Sequence, residues 1–189
     1  MVVKNIVSAA VTGLFLSAAV GLAPAAAQQP KSLASDSVFI TRTGSAGLLQ
    51  VKLGKLAEKK GTSTAVVEFG KGMATHYSKA NEELKTAAKA AGFPAPSLTR
   101  QDQLSFDRFN SMGRGSFDKA YMTEMVERQN EELRLSKEES AGGRVQSLKQ
   151  LASRMLPDTE QRLSLARQTG GSVGVNVSTS QASEASATY

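Results

Sequence analysis

Cysteine and tryptophan are both absent from this sequence. Without a thiol there can be no disulfide, no zinc–thiolate site and no cysteine nucleophile. Aromatic residues are scarce, at 5%, too few for a β-sandwich core, an aromatic cage or a base-stacking surface. Histidine occurs once, as His76. No Ser–Asp motif lies beside it and no Gly-x-Ser-x-Gly elbow is present, so the chain does not read as a hydrolase. Met112-Gly113-Arg114-Gly115 is not a phosphate loop, since it lacks the Gly-Lys-Ser/Thr ending and a preceding strand. The net charge of +6 comes from 23 basic and 17 acidic residues. These charges are interspersed along helices, the pattern of a solvated surface, and no specific nucleic-acid motif appears. The expectation is a non-enzyme.

The apolar content is concentrated first at the N-terminus. Lys4 gives a short positive region, residues 6–22 form an apolar run, and Ala25-Ala26-Ala27 is a small-residue cleavage pattern. Residues 1–27 therefore read as a signal peptide, cut near Ala27-Gln28, with export to a periplasm the simplest destination. An uncleaved anchor is the other reading of the same run, which is marginal in length for a bilayer. No later segment approaches a transmembrane span. Residues 28–35 read as a polar linker.

From Asp36 onward the periodicity is helical. Asp36 is a good N-cap for a helix reaching Lys60, with Gly61 beyond its end. Phe39, Thr43, Ala46, Gln50, Leu53 and Ala57 recur along one face. Residues 66–91 form the central helix, capped within residues 62–64 and stopped by Gly92-Phe93-Pro94. Its stripe of Val66, Phe69, Met73, His76, Ala80 and Leu84 places His76 on the buried side. Residues 95–115 read as a long connection carrying a short helix, with Leu104, Phe106 and Phe109 among many polar residues. Ser116 caps a third long helix to about Ser140, with Phe117, Tyr121, Met122, Met125, Gln129, Leu133 and Ser136 inward. A fourth spans residues 144–168, with Leu148, Ala152, Met155, Arg162 and Ala166 near one face; Pro157 should kink or split it. Residues 169–189, rich in Gly, Ser and Thr, read as a disordered tail. The sum is an all-α, four-helix bundle domain over residues 36–168, with a long connection between its second and third long helices.

Each long helix places one polar residue on its apolar stripe: Gln50, His76, Gln129 and Arg162. Carboxylate-bridged metal bundles project ligands inward from four helices in this way. Only His76 of these four is a good ligand, because amides bind transition metals poorly and arginine has no lone pair to give.

Four segments are similar to the exported bacterial domain-of-unknown-function family 4142 (DUF4142): LLQVKLGKLA from Leu48, FGKGMATHYSKANEEL from Phe69, GSFDKAYMTEMVERQ from Gly115 and MLPDTEQRLSLA from Met155. The resemblance implies a ferritin-like helical bundle in an exported protein. It also implies Glu at the position of Gln50, His at those of Gln129 and Arg162, and an acidic residue at that of Thr75. This chain departs at all four, so a metal centre is not carried over.

The residues then take bland roles. His76 reads as a hydrogen-bonded core histidine, with Gln50 and Gln129 as its amide partners or as parts of one polar network. Arg162 is expected to turn to solvent beyond Pro157, Tyr121 and the methionines to fill core, and Glu131 and Glu132 to face water. The expected function is a non-catalytic envelope protein, with no cofactor and with envelope components or self-association as partners. Two alternatives stand beside it. One is a metal or redox protein holding iron, manganese or zinc on His76 with Glu68, Glu83 or Glu124. The other is a basic surface that binds envelope polyanions or nucleic acid.

Overall fold

A computed structural model describes residues 33–176. They form five α-helices: α1 (Leu33–Lys60), α2 (Thr64–Ala90), α3 (Arg100–Ser111), α4 (Arg114–Gly142) and α5 (Gln146–Ser172). The chain is all-α, with no strand among the described residues. None of these helices is long and apolar enough to cross a membrane. The signal peptide and most of the linker assigned from sequence lie outside the described residues, as do residues 177–189.

α1 and α2 make one antiparallel hairpin, α4 and α5 another, and α1 joins the two by packing on α4. The α1–α2 contact is close because glycines meet there. A Cβ on Gly54 would lie 2.5 Å from the carbonyl oxygen of Gly70, and one on Gly70 would lie 2.6 Å from Ala57 Cβ. Helix ends are satisfied largely by distant side chains. Asp118 of α4 accepts from the backbone amides of Thr62 (3.1 Å) and Ser63 (2.8 Å), capping the start of α2. Asp36 accepts from the amides of Arg144 (3.1 Å) and Val145 (3.0 Å) ahead of α5. Asp36 is thus not the N-cap of its own helix. It lies inside α1, fully buried, and caps another.

These bonds order the molecule end to end. The start of α1, the end of α2 and the α4–α5 turn share one end. The α1–α2 turn, the start of α4 and the end of α5 share the other. α3 lies in the connection that carries the chain back between them. It is fastened to α1 and α4 through Asp102, which accepts from Ser45 of α1 and faces Arg128 of α4 at 3.0 Å.

Three expectations change here. Pro157 sits exposed within α5 and does not divide it. α5 also continues past Gln168: Thr169 and Gly170 are buried within it. The chain then turns at Gly174 (φ +76°), where the amide of Val175 reaches back 2.9 Å to the Gly170 carbonyl. That positive φ suits glycine and closes the helix in a Schellman turn. Val175 is buried in the apolar core, so residues 169–176 are structured, contrary to the expected tail. Their Gly and Thr content hid a helix end that one buried valine fastens.

Candidate functional site

The buried apolar residues fall into two clusters. One holds Leu49, Leu53, Phe69, Met73, Tyr121 and Met125, among others, toward the α1–α2 turn. The other holds Phe39, Ile40, Leu84, Leu135, Leu148 and Leu151, toward the α4–α5 turn. Along α4 and α5, the buried residues between the clusters are polar except for Leu163: Gln129 and Glu132 on α4, Thr159 and Arg162 on α5. Tyr77 on α2 meets them.

These five side chains form one hydrogen-bonded belt. Arg162 donates from Nη2 to Glu132 Oε1 (3.1 Å) and Thr159 Oγ1 (2.9 Å), and from Nε to Gln129 Oε1 (3.2 Å). Gln129 Nε2 donates to the Tyr77 hydroxyl at 2.9 Å, and the Tyr77 hydroxyl donates in turn to Glu132 Oε2. The guanidinium carbon also lies 5.3 Å from the Tyr77 ring centroid. Burial pushes the Glu132 carboxyl above the usual carboxylate range against the opposing pull of Arg162, and it raises the Tyr77 phenol well above its ordinary value.

Of the four polar stripe positions, the structure joins Gln129 and Arg162 directly. Gln50 is buried but makes no bond to them, and its Oε1 has no partner among the described residues. His76 lies outside the belt. It is half-buried, edge-on to the Tyr77 ring with centroids 5.0 Å apart, and neither glutamine is its partner. Burial, with Arg162 next in effect, lowers its pKa to about 4, so the imidazole is neutral at pH 7. Arg162 does not turn to solvent and Glu132 does not face it: they are 8% and 4% exposed and pair across α4 and α5. Tyr121 fills core as expected, stacked on Phe117.

This donor set does not fit a divalent metal. The one carboxylate already has a guanidinium as counter-ion, and the Gln129 carbonyl is engaged by Arg162. Among the described residues no group of three or more His, Asp or Glu is arranged to hold a metal ion. Of the carboxylates proposed to join His76, Glu68 shares a groove with it, whereas Glu124 pairs with Arg108 and Arg128 and Glu83 is exposed.

That groove lies between α2 and α5 and encloses about 770 Å³. Phe69, Met73 and Leu165 supply its apolar wall, His76, Asp158 and Arg162 line one end, and Glu68, Gln168 and Thr169 line the other.

The profile of the family described as Domain of unknown function (DUF4142) matches residues 21–169, most of the sequence. The chain belongs to DUF4142. The DUF4142 match takes in all five helices except the last turn of α5. No curated protein and no solved structure matches the chain.

Sequence reasoning missed Tyr77, Glu132 and Thr159. Tyr77 is one residue from the assigned stripe, and a shift of one residue turns a helix by about 100°. Glu132 sits in a run, Asn130 to Glu132, that resembles a solvated face. The available signal was Arg162 itself, since a cation on an apolar stripe requires a buried acceptor.

Proposed function

We propose that this protein is an exported, non-catalytic helical-bundle protein whose polar centre is a charge-compensated structural belt and not a metal centre. Its four long helices form a ferritin-like four-helix bundle, with α3 riding on the crossover. The direction of the helices supports this, since α1 and α5 run one way, α2 and α4 the other, with one long connection. The apolar run and small-residue pattern of residues 1–27 support export.

The observation that carries the reading is the Arg162–Glu132 pair at 3.1 Å. The guanidinium already occupies the one buried carboxylate of the belt, so a divalent ion would have to displace Arg162 from Glu132 to gain that ligand. The resemblance-implied histidine at this position would instead give a lone pair. The experiment is elemental analysis of protein purified from its own compartment. Iron, manganese and zinc are expected well below one equivalent. Stoichiometric metal that disappears in His76→Ala would overturn the proposal.

A further inference from the structure

We propose that the α2–α5 groove is a binding site for an uncharged, mainly apolar small molecule whose hydrogen-bond acceptor sits against Arg162. Three independent features point to it. The first is size and chemistry: about 770 Å³ is the volume of a site for a small organic ligand, and the apolar wall of Phe69, Met73 and Leu165 lies between polar groups, His76, Asp158 and Arg162 at one end and Glu68, Gln168 and Thr169 at the other.

The second is a donor left over. Arg162 uses Nε and Nη2 within the belt, while Nη1 meets no acceptor among the described residues. Arg162 lines the groove at the same end as His76. Its charge is already neutralised by Glu132, so it offers a directed N–H and little net attraction for an anion. Glu68 and Asp158 line the same groove as exposed carboxylates, and His76 is neutral. A carboxylate or phosphate would meet two like charges; a hydroxyl, ether or carbonyl oxygen would meet none of that repulsion.

The third is Gly72. It lines the groove in the middle of α2, where glycine costs roughly 1 kcal/mol relative to alanine. Gly54 and Gly70 are needed because a Cβ on either would collide with the facing helix. A Cβ on Gly72 would meet nothing within 4 Å. Packing therefore does not require this glycine. What its missing side chain does is leave the groove open beside Phe69 and Met73.

This inference rests on the reading of Arg162 as charge-compensated, but its test does not depend on metal content. The experiment titrates the whole protein with N-phenyl-1-naphthylamine, an uncharged fluorescent probe. Saturable 1:1 binding is expected. Gly72→Trp fills the groove and Leu165→Asn makes its wall polar; each should weaken probe binding at least tenfold. Leu165 is 47% exposed, so its replacement leaves the fold intact even if the tryptophan does not. Decanol should displace the probe, and decanoate at the same concentration should not. No saturable binding, or wild-type affinity in folded Leu165→Asn, would overturn the site. Displacement by decanoate as effective as by decanol would overturn its preference for an uncharged ligand.

Discussion

At the scale of single residues, the centre of this molecule is decided by which charges are removed from water together. Arg162 and Glu132 are both buried and pair with each other, while Thr159, Gln129 and Tyr77 take up every further bond except those of Arg162 Nη1. Breaking such a pair from one side costs more than removing both sides, because it leaves an uncompensated charge. Glu132→Leu is expected to lower stability by about 3–5 kcal/mol in urea unfolding. Adding Arg162→Met should recover at least half of that loss. A single-variant loss under about 1 kcal/mol would show that Arg162 reaches solvent. His76 and Tyr77 show where a sequence stops being informative at this scale. Valine, phenylalanine and methionine at residues 66, 69 and 73 fit a stripe through either residue. The choice is made by Gly70 and Ala74, which are small and buried against α1. Hydrophobic periodicity ignores small residues, although here they set the rotation of the helix.

At the scale of elements, the helices themselves were legible. Period and glycine or proline stops located the four long helices to within a few residues and put the short α3 in the connection between two of them. The caps were not, since Asp118 and Asp36 serve helices 55 and 108 residues away in sequence. The end of the molecule around Asp36 also has a pH-dependent part. Glu139 of α4 is fully buried, takes the Ser35 hydroxyl at 3.2 Å, and lies against Asp36. Burial, then the hydrogen bond and charge of Asp36, push its carboxyl up to about 7. A carboxyl whose folded pKa is raised stays protonated in the fold where the unfolded chain has already ionised. Its contribution is greatest below the ordinary value of 4.5 and is lost as pH rises through about 7. Glu139→Gln should therefore flatten the fall in thermal midpoint between pH 4.5 and 7 while leaving the midpoint at low pH nearly unchanged. A variant with the same pH slope as the wild type would show that Glu139 ionises normally. The approach of Glu139 to Asp36 was invisible in sequence because the two acids come from different helices.

At the scale of the whole molecule, composition alone excluded disulfide chemistry, and the helical period gave the all-α class. Composition misjudged the C-terminal boundary, because low apolar content over residues 169–176 was weighed without the one valine that is buried. Val175 packs over Gly170 and joins the larger apolar cluster. Truncation after Gln168 removes it together with the last turn of α5. The loss of one buried valine is worth about 1.5–3 kcal/mol, and the thermal midpoint should fall accordingly. An unchanged midpoint would mean that the fold closes without this segment.

The placement of the two ends of the described chain has a mechanical consequence. Leu33 begins beside the α4–α5 turn, and Ser172 finishes at the opposite end, beside the start of α4. An odd number of helix-length traverses separates them, and 27 residues of α5 rise about 40 Å. The start of α1 and the end of α5 are therefore about a helix-length apart. A pull applied to both would load the long helices along their axes and shear the hairpins past one another, with the bonds of Tyr77 on α2 to Gln129 and Glu132 on α4 resisting the slide.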